Sequence, residues 1–401
     1  VTQAKKGGSP AHAASVEPCN RCWVEVDFAA VRHNVAAIRE HVGPGFGVMA
    51  VVKTNAYGHG MEDLAKELRY LVEMFGVANV TEALHLRRVA PDSPILILGP
   101  ALPEEREAIV QNEFIPVVSS VAEAKEYAAL LDKNEDGSPA AFLQVHLKVD
   151  TGMGRIGVWW EDAVEAANTI DDIPGIRLWG VATHLPSAEE DADFTTEQLT
   201  CWERLVAEIR IAGLELPVVH ALNSAGAIRY AGRQGQPNEP GSRTGDMVRA
   251  GLMLYGCSPI PEFQPRLRPV LTWKSRIVLI RDVPAGRSVS YGRTYVTPGP
   301  MRIATVAVGY GDGYQRHLSN TGAEVLVAGR RCAVLGRVTM DQIMVDITGL
   351  DQAQIGSEVV LIGRQGDQGI PVTELAAKAG TIPYEIFTAI SSRVTRRFLT
   401  E

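Results

Sequence analysis

Val48-Met49-Ala50-Val51-Val52-Lys53, running on into Thr54-Asn55-Ala56-Tyr57-Gly58-His59-Gly60, is the stretch around which the rest of the chain is organised. The apolar run reads as a buried strand that delivers one lysine and then breaks into Asn, Gly and Gly, where the backbone turns. An amine held against apolar surface loses hydration and its pKa falls, so the neutral form can condense with a carbonyl. Alone, Lys53 is better read as a snorkelling side chain at a strand end. Its surroundings decide between the two.

Outward from this stretch the pattern repeats. Further strands are expected at 76–80, 94–99, 114–119, 142–150, 178–184, 218–222 and 246–250, with helices at 61–74, 81–89, 121–131, 161–170 and 195–212. Eight strands separated by helices over roughly 230 residues predict an α/β fold, a (β/α)8 TIM barrel of ordinary size. A doubly wound open sheet is the alternative, but no GxGxxG follows the first strand. Upstream, 23–28 alternates apolar and polar residues, and Asp27 can cap a helix over 29–42 that stops at Gly43. Past Pro265-Arg266-Leu267-Arg268-Pro269 the period changes to two, with strands expected at 272–282, 302–308, 323–327, 331–336, 344–348 and 358–362. A helix over 372–379 stops at Gly380. The chain therefore divides into a tail over 1–21, a barrel over 22–265 and a C-terminal mainly-β domain over 266–401. The strand near 22–28 is free to pair with that later sheet.

Bulk properties narrow the class. With 401 residues, 46% of them hydrophobic, the chain can fill two cores. A net charge of −8 forces no basic patch for nucleic acid, and no apolar run reaches the length of a membrane span. Five cysteines make no disulfide scaffold. Cys19-Asn20-Arg21-Cys22 has the spacing of half a zinc or redox site without a second pair, so no metal is expected and the compartment leans reducing and cytoplasmic. The Ala/Gly/Ser/Pro-rich start, with Lys5 and Lys6, reads as a flexible tail without a secretory apolar region.

Barrel active sites gather at the carboxyl ends of the strands. Strand one leads through Lys53 to Tyr57. Strand five carries Lys148 and Asp150, then the glycine-rich turn 151–157 containing Arg155. His184 ends strand six, strand seven runs into Asn223 and Ser224, and strand eight carries Arg249 before Gly251 and Leu252. Loops after strands seven and eight form the usual phosphate site, where Ser224 and the amides of Gly251 and Leu252 can bind an anion. Each residue also fits a structural role: His184 as an interior histidine, Ser224 as a helix cap, Lys148 paired with Asp150, Arg249 in an ion pair. Together, an amine and a phosphate site on one rim favour pyridoxal 5'-phosphate.

These motifs, in this order, resemble the alanine racemase family, with the match running from about Trp23 to Arg396. They include 50–60, 148–157, Thr183-His184, 220–224, 248–251, Val289-Ser290-Tyr291-Gly292-Arg293-Thr294-Tyr295, Gly309-Tyr310-Gly311-Asp312-Gly313 and Met340-Asp341-Gln342. The resemblance implies interconversion of L- and D-alanine on pyridoxal phosphate by two bases, with D-alanine feeding bacterial peptidoglycan. Lys53 would hold the cofactor and be the base on the D side, and Tyr291 the base on the L side. A phenol with pKa near ~10 needs cationic neighbours to serve near neutrality, which His184 and Arg249 would supply. Arg249 would also donate to the pyridine nitrogen. Tyr57, Asn223, Ser224, Gly251 and Leu252 would bind the cofactor, Arg155 and Met340 the substrate carboxylate. Lys148, carbamylated in many members, would position Arg155, while Asp341, Tyr310, Arg316 and Arg337 would support or line the entrance. A head-to-tail homodimer sharing its active sites is implied as well, because Lys53 and Tyr291 belong to different domains.

The chain departs from the family in three places. Ile390-Ser391-Ser392-Arg393-Val394 has Ser392 where Tyr is usual, which suggests a looser pocket that tolerates serine as substrate. Thr339 stands where Cys is common, and Thr54 where a smaller residue is usual. A related decarboxylase would make no use of Tyr291 opposite Lys53, and non-catalytic single-barrel carriers lack the β domain.

Overall fold

The computed structural model describes residues 21–232 and 245–400. The tail expected over 1–21 lies outside the described residues except for Arg21, and Cys19 lies outside them too. Gly47–Val51, Met74–Val77, Ile95–Ile97, Ile115–Val118, Leu143–Asp150, Ile176–Ala182, Val218–His220 and Met247–Ala250 form one parallel sheet, ordered as in the sequence, with the last strand paired to the first. The barrel is nearly closed. Its seventh and eighth strands meet through isolated bonds, Asp246 N to Val219 O at 2.7 Å and Arg249 N to Leu222 O at 2.9 Å. These strands are short and almost wholly buried, so their apolar runs need no alternation.

The expected (β/α)8 barrel and mainly-β domain are both present; several boundaries differ. The helix expected over 61–74 stops at Leu68, and the strand expected over 76–80 is Met74–Val77. Glu73 belongs to the strand end, where its carboxylate accepts from Val48 N at 2.7 Å. Asn79 is a cap that accepts from Glu82 N and starts the helix Val80–Val89. The first strand ends at Val51, ahead of Lys53. Lys53 instead opens a turn in which Thr54, Asn55, Ala56 and Tyr57 are all left-handed, with φ of 52–54°. Four such residues cost about 4–8 kcal/mol, offset locally by hydrogen bonds. Ala56 N donates to Val52 O (2.8 Å), Gly58 N to Thr54 O (3.0 Å) and Met61 N to Asn55 Oδ1 (2.8 Å). Gly58 closes the turn, and a Cβ there would lie 2.3 Å from Phe387 O.

The second domain is built on Leu271–Val283. Glu358–Gln365, Glu324–Val327, Arg330–Leu335, Ile343–Asp346 and Met301–Val306 follow one another antiparallel around it, and Glu358–Gln365 pairs back to it. The sheet is thus a six-stranded closed ring, extended on one side by Cys22–Asp27 (antiparallel to Leu271–Val283) and Thr395–Leu399 (parallel to Cys22–Asp27). A helix absent from the sequence reading, Pro383–Ala389, follows Gly380 and packs against the turn after Lys53. Its Pro383 stands in the first turn, where a missing N–H costs nothing.

Candidate active site

A cavity of about 660 Å³ opens at the carboxyl ends of the barrel strands. Lys53, Tyr57, Lys148, Arg155, His184, Asn223, Ser224, Arg249 and Gly251 all belong to its wall. Burial, with Arg155 and Arg249 adding to it, pushes the Lys53 amine below its usual value, and Glu82 opposes the shift. Lys148 is pushed further down, by burial and then by Arg249 and Arg155. Asp150 does not neutralise it alone, because its carboxylate accepts from the backbone of Gly152, Met153 and Arg155 and so shapes the turn.

Arg249 is only 6% exposed. Its Nη1 donates to His220 Nδ1 and His220 O, both at 2.8 Å; its Nη2 donates to Thr183 O (2.9 Å), Ala221 O (2.8 Å) and His184 Nδ1 (3.1 Å). That leaves Nε–H as the donor without a described partner. A guanidinium only donates, so His184 Nδ1 and His220 Nδ1 must accept, and both rings are neutral. The proton of His220 then sits on Nε2 and is donated to His146 Nδ1 at 2.8 Å. Burial, reinforced by Arg249, holds His184 and His220 well below the usual imidazole value, and burial brings His146 to about 3. This corrects the expectation that His184 would supply positive charge: it is an acceptor, and the local cation is Arg249.

At the other end of the cavity, Ser224 Oγ accepts from Gly251 N at 3.1 Å and Met253 N at 3.4 Å. Asn223 is committed to the fold; it caps Ser224–Tyr230 through Gly226 N (2.9 Å) and donates to Leu185 O (3.1 Å). Leu252 is buried and lies outside the cavity wall. The Tyr57 ring packs on Tyr255 and Tyr384, centroids 4.9 and 5.7 Å away, and burial raises its phenol to about 12. A Cβ on Gly251 would come within 2.7 Å of Tyr57 Oη. The absence of that methyl leaves room between a phenol, a serine and two strand-end loops.

The β-domain residues stand apart. Tyr291 is 68% and Met340 52% exposed, and neither belongs to the cavity wall; Tyr310, Arg316, Arg337 and Asp341 do not either. They sit near one another. Gly311 N donates to Met340 O (2.9 Å), Tyr310 N to Thr339 O (3.0 Å), and Arg393 bridges Asp312 and Asp341 at 2.8 and 2.7 Å. Arg337 lies so close to Gly292 that a Cβ there would meet its Nη1 at 2.8 Å. Ser392 is exposed and outside the wall, where the sequence reading missed Tyr384 and Thr388. His146 and His220 were also missed as partners of Arg249; both lie on barrel strands, and the motif 220–224 already contained one of them.

Residues 26–259 match the family described as "Alanine racemase, N-terminal domain" and 270–398 "Alanine racemase, C-terminal domain". The chain is similar to the alanine racemase of Halothermothrix orenii, 40% identical over 94% of this chain and 96% of that one. It is 41% identical to that of Methylacidiphilum infernorum, over 94% and 92%. Among solved structures it resembles the Bacillus anthracis alanine racemase with bound L-Ala-P (36% identity, TM-score 0.84, covering 96% of both chains). The Streptomyces coelicolor alanine racemase is also similar (34% identity, TM-score 0.84, covering 95% and 98%).

Proposed function

The chain belongs to the alanine racemase family, and from that premise we propose that it interconverts L- and D-alanine on pyridoxal phosphate, with Lys53 and Tyr291 as the two bases. The observation that carries this reading is Arg249, buried and fixed by five acceptors, with its remaining donor available beside a low-pKa lysine. The residues present fit the cofactor. Gly251 leaves a cradle that a Cβ would fill, and Ser224, Tyr57 and the amides of Gly251 and Leu252 would hold the phosphate. Bound there, pyridoxal phosphate supplies an electron sink for the α-carbon of the amino acid.

Lys53 anchors the cofactor and, once displaced, exchanges a proton at Nζ with one face of the α-carbon. Its depressed pKa keeps the amine able to accept. Arg249, whose Nε–H is its remaining donor, would face the pyridine nitrogen; a guanidinium donates without giving up its proton, which would make the cofactor a weaker electron sink. Neutral His184 and His220, held as acceptors, keep that guanidinium in register. Arg155 would bind the substrate carboxylate together with the backbone of Met340 from the second copy that supplies Tyr291, and burial favours the neutral form of Lys148 that carbamylation requires. Asp341, Tyr310, Arg316 and Arg337 would border the way in.

Tyr291 serves the opposite face from a second copy of the chain in a head-to-tail homodimer. Exposure of Tyr291, Tyr310 and Met340 on the β domain, and of Ile382 at the cavity wall, supports that arrangement. No helix among the described residues is long and apolar enough to cross a membrane; we place the enzyme in the cytoplasm, supplying D-alanine for peptidoglycan. Incubation with L-alanine in D2O, followed by NMR and chiral analysis, tests the reading. Racemisation with α-deuterium is expected, and carbon dioxide release or no turnover would refute it. Tolerance of serine, suggested by Ser392, fails if kcat/KM drops more than about a hundredfold from alanine to serine.

A further inference from the structure

Two helices of the barrel begin with the same device. In Val121–Ala129, Ser120 Oγ accepts from Glu123 N (3.1 Å) while the Glu123 carboxylate reaches back to Ser119 N (2.8 Å). In Val80–Val89, Asn79 Oδ1 accepts from Glu82 N (3.0 Å) while Glu82 reaches back to Ala78 N (2.8 Å). Both resemble a capping box, which by itself concerns only helix stability. The two differ in the second carboxylate oxygen. That of Glu123 is buried without a partner among the described residues. That of Glu82 crosses to the neighbouring unit and accepts from Thr54 N at 2.6 Å, the first amide after Lys53.

Thr54 is also the first of the four left-handed residues. No glycine among them relieves the conformation, so it persists only where its surroundings hold it. Asn55 secures the far end through Met61 N, and Glu82 secures the end that carries the lysine. We propose that Glu82 is a positioning residue for Lys53, tying the left-handed turn that presents the amine to the first turn of the adjacent helix. The inference rests on the reading of Lys53 as the reactive amine. A charge-assisted bond at this length locks the direction in which the chain leaves the strand. The same anion opposes the burial and the guanidinium groups that depress the amine.

The test compares E82Q with E123Q, the matched change in the helix that only caps itself, in the full-length chain without cofactor. Glutamine cannot accept from both amides without turning its NH2 toward one of them. Two readouts apply: the pH midpoint at which Lys53 reacts with trinitrobenzenesulfonate, read on its peptide, and amide exchange over residues 54–60. E82Q should lower the midpoint by about one unit, since an opposing anion is lost, and speed exchange at Thr54 at least ~10-fold. E123Q should change neither, and E82D, which keeps the charge, should restore the midpoint. Equal Lys53 midpoints and equal exchange in E82Q and E123Q would overturn the proposal. Neither readout needs cofactor or turnover, so a wild-type chain that fails to racemise alanine would count against the function and leave this comparison intact.

Discussion

Replacing Gly251 with alanine puts one methyl into the phosphate cradle. The new Cβ lies 2.7 Å from Tyr57 Oη, 3.4 Å from Cζ and 3.6 Å from Cε2. Only the first of these is a clash. Tyr57 cannot swing away freely, because its ring is wedged between Tyr255 and Tyr384 and is buried. Overpacking of this kind costs about 1–3 kcal/mol, and it should appear in urea unfolding of the cofactor-free protein followed by tryptophan fluorescence. If Tyr57 yields, its phenol leaves the cradle, and affinity for pyridoxal phosphate should fall roughly ten- to a hundredfold, the worth of one bond to a charged group. Y57F supplies the control. Without the hydroxyl the nearest remaining contacts are ordinary van der Waals distances, so adding G251A to Y57F should cost less than ~0.5 kcal/mol. The double-mutant cycle cancels any backbone effect of alanine at this position. An equal cost for G251A in both backgrounds, or an affinity within about twofold of wild type, would refute the cradle geometry.

Mixing K53A and Y291F proteins under exchange conditions should restore about a quarter of wild-type activity if each site draws on two chains, since half the dimers are hybrids with one intact site each; no recovery would mean both bases act within one chain. Y291F alone should lose L-to-D conversion at least ~100-fold in a racemisation assay, and an unchanged rate would remove the phenol from the mechanism. Stability should fall on mild acidification. His59, His146 and His220 are buried and His184 is partly buried, all with folded pKa values below 6.5, so the unfolded chain takes up protons first as pH drops. Their stabilisation is complete above the unfolded pKa and is lost below it, at about 1 kcal/mol each between pH 7.5 and 5.5. Thermal melts of the cofactor-free protein at the two values check this; an equal or higher midpoint at the lower pH contradicts it.

The architecture was legible because parallel barrel strands announce themselves as short apolar runs, and because the switch to period two after Pro269 marks a different kind of sheet. The barrel half of the site could be read as well, since Lys53, His184, Ser224 and Arg249 stand at or just beyond strand ends. What escaped has physical reasons. Thr54-Asn55-Ala56-Tyr57 carries no glycine, so nothing local announces a left-handed turn; it is held by Glu82, which stands twenty-eight residues downstream of Thr54. Tyr384 lies on a seven-residue helix too short to show a period, and it reaches the cavity only through tertiary packing. The charge state of His184 depends on an arginine from another strand. Composition cannot show that.

Cys22–Asp27 lies between Leu271–Val283 and Thr395–Leu399, so the whole barrel is threaded between the first strand of a sheet and the remainder of that sheet. During synthesis Cys22–Asp27 must wait until nearly 250 further residues have emerged before its antiparallel neighbour exists, and longer still for Thr395–Leu399. The barrel can therefore close first, with its opening strand left as an unpaired edge. Trimming the chain just before Thr395 would strip one flank of that strand and would also remove the Arg396 Nε bond to Gly58 O (3.1 Å) and the Phe398 ring stacked on Phe28. The two domains are joined by two crossings, Asp27 into Phe28 and the segment before Leu271. A double crossing resists the twisting that a single linker permits, which a domain offering Tyr291 to another chain's lysine, as proposed above, would require.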